Sequence, residues 1–179
     1  MPFPDLSAFE ADVERKRLAA LERISGLPIA ALVWGPAPAA GTLLAETRVV
    51  LRDRLQSEGH LVRFSEELVD PSSSHSILAQ QIAQAEAHDL VISLPASPGS
   101  IAEIHDFARI PGVSHKIVAF LNSEWNDGYA NQSLVQLQSV ATCQIQLYTP
   151  DGLPANIVDA ACALVRRLQE VYYMLGRRY

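Results

Sequence analysis

Of the side chains in this sequence, Glu103 has the residue type and the sequence surroundings most typical of a catalytic residue. The segment 89–108 reads DLVISLPASPGSIAEIHDFA, in which a short apolar run leads into a Pro/Ser/Gly-rich turn and then a helical pattern. A strand, a tight loop and a helix N-terminus in this order commonly build a pocket for a phosphate or a sugar. We predict a helix over 100–109, with Glu103 in its first turn.

Two interpretations of Glu103 are open from spacing alone. Ser100 and Glu103 fit the S-x-x-E capping box, in which the glutamate reaches back to the serine N–H. Alternatively, Glu103 is a nucleophile or an electrostatic stabiliser for breaking a glycosidic bond, because an oxocarbenium-like centre needs a carboxylate beside the sugar carbon. In that case the Pro98, Gly99 and Ser100 loop offers backbone N–H groups and a hydroxyl to a phosphate or ribose.

Strands and helices are predicted to alternate along the chain. Apolar strands are expected over 29–34, 60–64, 89–94, 116–121 and 144–148, and helices over 5–24, 42–57, 75–87, 100–109, 133–140 and 155–176. This alternation is typical of a parallel sheet with helices on both faces. We therefore predict a single-domain, Rossmann-like (flavodoxin-like) three-layer α/β fold with a five-stranded parallel sheet. An N-terminal helix (1–27), a nucleotide-binding core (28–150) and a C-terminal helix (151–179) would make up this domain.

Ligands of such sheets bind beyond the carboxyl ends of the strands, and other candidates lie there. Gly35 and Pro36 follow the first strand, where the glycine allows a close backbone approach to a ligand. Asn122 closes the fourth strand and is either a ribose ligand or a loop residue that bonds its own backbone.

Larger side chains near the same edge also have two interpretations each. Trp34 either stacks on a base or belongs to the core. Arg48 and Arg52, one turn apart on a predicted helix, either clamp a phosphate or form a solvated helix face.

Composition narrows the class of protein. The chain has 179 residues and a formal net charge of -6, which argues against extended contact with a nucleic acid backbone. Cys143 and Cys162 lack metal spacing and are interpreted as buried thiols in a reducing compartment. We see neither a signal peptide nor an apolar run of membrane-spanning length, and the histidines show no ligand spacing. A cytoplasmic protein without a membrane partner, a metal or a cofactor is therefore expected.

The stretch LPASPGSIAEIHDFA resembles known signatures. It is similar to D-x-G-T-x-x-E-x-G-x-A of the nucleoside 2-deoxyribosyltransferases and to P-G-G-x-G-T-x-x-E of the SLOG/lysine-decarboxylase-like proteins, a TIR-related Rossmannoid group. It is more similar still to the SPGS-x-A-E-x-x-x-F-A variant of nucleotide-targeting effectors related to them, some attached to bacterial antiphage systems. The resemblance spans residues 30–147, and its specific part is 89–108.

The resemblance implies roles for residues of the motif. Glu103 falls on the nucleophile of the deoxyribosyltransferases, and Gly99 and Ser100 fall on their Gly-Thr pair. Ser97 stands where the motif has an Asp, so that carboxylate is missing, and we predict Ser97 to be a substrate-binding residue. Two bulkier side chains also stand where the motif has a Gly and an Ala: His105 and Phe107.

The resemblance also implies a role for the acidic segment after the second strand. In the similar proteins an acidic residue there hydrogen-bonds a ribose or holds a water, and this role carries over to Glu66. A solvated loop is the alternative, and it fits Glu67 better than Glu66.

Three functions of different classes follow. The first is an N-glycosidase or deoxyribosyltransferase-like enzyme that cleaves the base–sugar bond of a nucleotide or of NAD, with Glu103 as nucleophile. The second is a non-catalytic module that senses a nucleotide and regulates a partner, which the missing acid at Ser97 favours. The third is an interaction subunit with a degenerate pocket. A homo-oligomer, or a subunit of a defence complex, is the expected assembly.

Overall fold

The computed structural model describes residues 6–125 and 128–176, which contain a five-stranded sheet. All neighbouring strands pair in parallel, in the order β2-β1-β3-β4-β5. The strands are β1 (Ala30–Trp34), β2 (Leu61–Phe64), β3 (Leu90–Ser93), β4 (Ile117–Asn122) and β5 (Gln144–Tyr148). The predicted α/β fold with a five-stranded parallel sheet is therefore confirmed.

Seven α-helices accompany the sheet in the described residues. They are α1 (Leu6–Ser25), α2 (Leu43–Ser57), α3 (Ile77–Ala87), α4 (Pro98–Phe107), α5 (Pro111–Ser114), α6 (Tyr129–Leu137) and α7 (Ala155–Met174). Side chains of α2 and α7 share one buried cluster with the strands, and side chains of α3, α4 and α6 share the other. The sheet is thus the middle of three layers. None of the helices within the described ranges is both long and apolar enough to pass through a bilayer.

The strand sequences explain this burial. The side chains of β3 and β4 are all buried, as expected for uncharged apolar strands covered on both faces. The edge strand β2 alternates between exposed and buried side chains, because helices cover only its inward positions fully.

The boundaries of some elements differ from the prediction. Helix α4 begins at Pro98 rather than at residue 100, and α6 covers Tyr129–Leu137 rather than 133–140. Pro111 and Gly112, two residues of types that usually end a helix, open the short helix α5 instead, because proline is favoured at the first helical position. Residues 1–5 and 177–179 of the predicted terminal helices (1–27 and 151–179), and residues 126 and 127, lie outside the described residues.

The strand order defines where a ligand would bind. The chain moves from β1 outward to β2 and then returns to the other side of β1 to form β3. Connections diverge at this point, and the crevice beyond the carboxyl ends of β1 and β3 is the general ligand position in open α/β sheets.

Candidate functional site

A cleft of 540 Å³ lies at this carboxyl edge of the sheet. Its walls come from the end of β1, from the segment after β2, and from helices α2, α3 and α4. The lining residues are Trp34, Gly35, Arg48, Ser65, Glu66, Val69, Pro71, Ile77, Gln81 and Glu103. The structure thus brings together three predicted site residues: Gly35, Glu66 and Glu103.

A second cavity, of 620 Å³, lies at the opposite edge of the sheet. It is lined by residues that precede β4 and β5, among them Arg109, His115 and Thr142. It has no carboxylate in its wall and lies at the amino ends of the strands. By volume alone the second cavity would be the better candidate for a ligand site. The cleft is the better candidate because it lies at the carboxyl ends of the strands and has carboxylates in its wall.

Glu103 lies in the second turn of α4, which corrects the prediction that it belongs to the first. The N-cap is Ser97, whose Oγ accepts a hydrogen bond from Ser100 N at 3.2 Å. The capping interpretation of Glu103 is therefore wrong, because the helix begins three residues earlier than the S-x-x-E pattern requires. Glu103 is exposed and lines the cleft, so its carboxylate is available to a ligand.

The loop before α4 uses its own polar groups. Ser100 Oγ accepts hydrogen bonds from Ala96 N at 3.1 Å and Ser97 N at 3.0 Å, and it donates to Ser97 O at 2.8 Å. The two serine hydroxyls therefore cap the helix, and neither serine lines the cleft. Ligand contacts from Ser97, Pro98, Gly99 and Ser100 stay predictions.

Glu66 is held at the cleft wall by Arg48. Arg48 Nη1 donates to Glu66 Oε1 and Nη2 donates to Oε2, both at 2.7 Å. The Arg48 side chain is only 1% exposed, whereas that of Glu66 is 50% exposed. A buried cation thus presents a half-exposed carboxylate to the cleft.

The same pairing sets the ionisation of Glu66. Burial acts to raise the pKa of the Glu66 carboxyl, but the hydrogen bonds from Arg48, a backbone hydrogen bond and the Arg48 charge outweigh it. The pKa of Glu66 is therefore below its ordinary value, and the carboxylate is ionised at neutral pH.

Gly35 and Pro36 connect β1 to this pair. A Cβ on Gly35 would lie 3.1 Å from Leu94 Cβ and 3.4 Å from Arg48 Cδ, at a φ of +154°. Pro36 O accepts a hydrogen bond from Arg48 Nη1 at 3.0 Å. Gly35 therefore leaves room for neighbouring side chains of the protein as well as lining the cleft.

Trp34 has an intermediate position. Its ring packs against Phe107 at a centroid distance of 4.6 Å, and the residue is 8% exposed, yet it lines the cleft. Its role is largely that of a core residue, and stacking on a base stays a prediction.

Three buried N–H donors in the described part of the chain have no acceptor: Trp34 Nε1, Arg48 Nε and Gln84 Nε2. Trp34 and Arg48 line the cleft, and Gln84 accepts a hydrogen bond from Ser65, which also lines it. Unpaired buried donors are few and costly in native proteins, so these three are exceptions to the usual pairing of buried polar groups.

Asn122 lies apart from the cleft and bonds its own turn. Its Oδ1 accepts from Glu124 N at 2.9 Å, and its Nδ2 donates to Glu124 Oε2 at 3.4 Å. This is the backbone-bonding alternative for a strand-end asparagine. A ribose contact by Asn122 stays a prediction.

Arg48 is the site residue whose role sequence reasoning missed, because its buried ion pair with Glu66 is neither the phosphate clamp nor the solvated helix face expected for it. The signal was its place in an apolar stripe on α2, at i, i+4, i+7 and i+11 with Leu44, Leu51 and Leu55. Leu51 and Leu55 are fully buried, and Arg48 is buried with them. A charged residue inside such a stripe predicts a buried ion pair.

Comparisons with known proteins assign the chain to no family. The chain matches no family model, and no curated protein matches its sequence. The described residues contain no group of three or more His, Cys, Asp or Glu side chains that could hold a metal ion.

The cleft's chemistry follows from its charges. Of the described residues that line it, Arg48 alone is basic, and its charge is paired with Glu66. Glu103 then leaves the cleft with a net negative charge, which would stabilise a developing cation.

Proposed function

We propose that the protein cleaves the base–sugar bond of a nucleotide or of NAD, with Glu103 as the nucleophile. The observation that carries the proposal is that Glu103 and Glu66 line one cleft at the switch point of the sheet. A sugar whose glycosidic bond breaks develops positive charge at its anomeric carbon, and nearby carboxylates stabilise it. The resemblance of segment 89–108 to the deoxyribosyltransferase motif supports the same role for Glu103.

The proposed reaction has two steps. A Glu103 oxygen attacks the anomeric carbon, the base leaves with the electron pair of the glycosidic bond, and a glycosyl ester forms. Water or an acceptor nucleobase then attacks the same carbon and releases the carboxylate, and the proton that this nucleophile loses is taken up by the departed base of a nucleotide. The cleft's volume of 540 Å³ lies within the range of sites that hold drug-sized ligands.

The cellular setting belongs to the proposal too. Cys143 and Cys162 are free, and burial raises the pKa of both thiols, so neither is poised to react. We place the protein in the cytoplasm on this ground.

A partner is also part of the proposal. Leu6, Phe9 and Val13 are 65%, 65% and 47% exposed, and their i, i+3, i+7 spacing puts them on one face of α1. Exposed apolar faces of this kind mark interaction surfaces. We propose a homo-oligomer or a subunit of a defence complex, and the molar mass in solution tests this.

The test of the activity is base release. The purified protein is incubated with NAD and a panel of ribo- and deoxyribonucleotides, and free base is measured by chromatography and mass spectrometry. The proposal predicts release of base from at least one substrate. Thermal stabilisation by a nucleotide without base release would instead support a sensor, and the absence of both would contradict enzyme and sensor alike.

A further inference from the structure

Arg48 has a hydrogen-bonding pattern that excludes the phosphate clamp. Its guanidinium donates to Val33 O at 2.7 Å, to Pro36 O at 3.0 Å and to both oxygens of Glu66. Four donors are thus used, and the remaining Nε is buried. An arginine that is 1% exposed and bound in this way would have to break internal bonds to reach a phosphate.

The surroundings of the guanidinium fix its orientation further. Arg48 Cζ lies 4.0 Å from the centroid of the Phe64 ring, so the cation stacks on the last residue of β2. The two backbone carbonyls belong to β1 and the segment after it. Arg48 therefore connects α2, β1 and β2 at the point where the chain leaves the sheet after β2 and continues to Glu66.

This arrangement decides what Glu66 can bind. A carboxylate has about four lone-pair positions, and the paired bonds from Arg48 occupy two of them. Arg48 leaves the other two positions free, and the Glu66 side chain that carries them is 50% exposed on the cleft wall. A fixed acceptor with two positions left matches two neighbouring hydroxyl donors, such as those of a ribose.

We propose that Arg48 is a positioning residue that holds Glu66 as a paired acceptor for the 2′- and 3′-hydroxyls of a ribosyl ligand, so that the cleft selects ribose over 2′-deoxyribose. The proposal rests on the proposed function in that the ligand is a nucleotide or NAD. It goes further by assigning both sugar hydroxyls to one carboxylate and by naming Arg48 as the residue that enforces their selection. The low pKa of Glu66 agrees with it, because an ionised carboxylate is a better acceptor.

The experiment compares matched ribo- and 2′-deoxynucleotides of adenine, guanine and cytosine, as mono- and triphosphates. The ratio of kcat/KM for base release is measured for the wild type, Arg48→Met, Arg48→Lys, Glu66→Asp, Glu66→Gln and the Arg48→Met/Glu66→Gln double variant. We expect the wild type to favour ribose by about ten- to hundredfold, the effect of a hydrogen bond to a charged group. Each single variant should lower this ratio towards one.

Two controls separate positioning from folding. Arg52 lies one turn further on α2 and also stacks on Phe64, with Cζ 4.5 Å from the ring centroid, but it does not line the cleft. Arg52→Met should keep the wild-type ratio. Since Arg48 acts through Glu66, the double variant should discriminate no less than Glu66→Gln alone.

The outcomes are distinct. A wild type without ribose preference, or an Arg48→Met protein that is less stable but keeps the preference, would overturn the proposal. Should Arg48→Met fail to fold, Glu66→Asp decides, because it leaves Arg48 in place but its shorter side chain cannot keep both bonds. If the wild type releases no base, the proposed function fails, and the same ratio is then read from dissociation constants by calorimetry. A ribose preference there that is lost in the variants supports this proposal, and the absence of binding or of preference overturns it.

Discussion

Two segments at the carboxyl edge of the sheet show opposite uses of polar side chains. In the turn after β2, Glu66 pairs with Arg48, eighteen positions away on α2, and stays half exposed on the cleft. In the loop before α4, Ser97 and Ser100 bond to each other and to the loop backbone. The first segment is positioned by a distant element, whereas the second positions itself.

This difference separates a side chain that can bind a ligand from side chains that cap a helix. A polar group that is satisfied locally stabilises its own turn and has less capacity left for a ligand. A carboxylate that is fixed by a buried cation keeps lone pairs free towards the cleft. We therefore expect substitutions in the first segment to change activity and substitutions in the second to change stability.

The largest expected effect is that of Glu103→Gln. The variant keeps the shape of the side chain but removes both its charge and its nucleophilic oxygen, so base release should fall by more than about 10²–10³-fold, the loss typical of one electrostatic stabiliser. Because Glu103 is exposed and does not cap the helix, its stability should change by less than about 0.5 kcal/mol. Steady-state kinetics and denaturant titration check both. Glu86→Gln, an exposed carboxylate on α3 outside the cleft, is the matched control, and an equal loss of activity there would break the comparison.

Glycine-to-alanine substitutions sharpen the comparison. Gly35→Ala should destabilise the protein by about 1–3 kcal/mol, because its Cβ would meet the Leu94 backbone and side chain at 3.1 Å. Gly99→Ala should stabilise it by about 0.5–1 kcal/mol, because the nearest atom is 3.7 Å away and alanine is the better helix former. Urea titrations measure both. Higher stability of Gly99→Ala together with lost base release would show that a ligand approaches this backbone.

The cap serine has a smaller predicted effect. Ser97→Ala removes the acceptor for Ser100 N and should cost about 1 kcal/mol, which corresponds to a melting temperature lower by about 2–4 °C. Ser97→Asp keeps an acceptor at the N-cap and should stay near the wild type. Differential scanning calorimetry measures both variants. A fall in base release at unchanged stability would contradict the local role of this loop.

The smallest expected effect is a change in the pH dependence of stability, and it comes from His60. Its Nδ1 accepts a hydrogen bond from Ile29 N at 3.3 Å, and burial lowers its pKa below the ordinary 6.5, although the charge of Glu58 opposes the shift. The unfolded chain therefore binds this proton more readily than the folded protein does. The contribution of neutral His60 to the free energy of unfolding is thus complete above pH 6.5 and decreases as the pH falls below that value. Melting temperatures between pH 8 and 5 should fall less steeply for His60→Asn. Equal slopes would refute the assignment.

The fold could be predicted from the sequence to a large extent, because its strands are short uncharged runs separated by helical patterns. The run in β4 is fully buried, and its character follows from local composition alone. The start of α4 was misplaced because two serines each fit a cap. Pro98 favours Ser97, since proline is preferred at the first helical position.

The candidate site was less predictable, because its main contact spans separate elements. Glu103, Glu66 and Gly35 were expected at the carboxyl edge, and the structure places all three in one cleft. The Arg48–Glu66 pair depends on the packing of α2 against β1 and β2, which spacing does not specify. The apolar stripe around Arg48 was the available signal, and an exposed helix face was the competing interpretation.

The most direct test of Glu103 as the nucleophile is to trap the glycosyl ester. The wild type and Glu103→Gln are incubated with an arabinosyl nucleotide carrying fluorine at the 2′ position, which slows loss of the sugar from the enzyme. The proteins are then digested and analysed by mass spectrometry. The account predicts a fluoropentosyl mass on Glu103 in the wild type, released base in equal amount, and neither in Glu103→Gln. Base release with the adduct on another residue, or undiminished base release by Glu103→Gln, would contradict it.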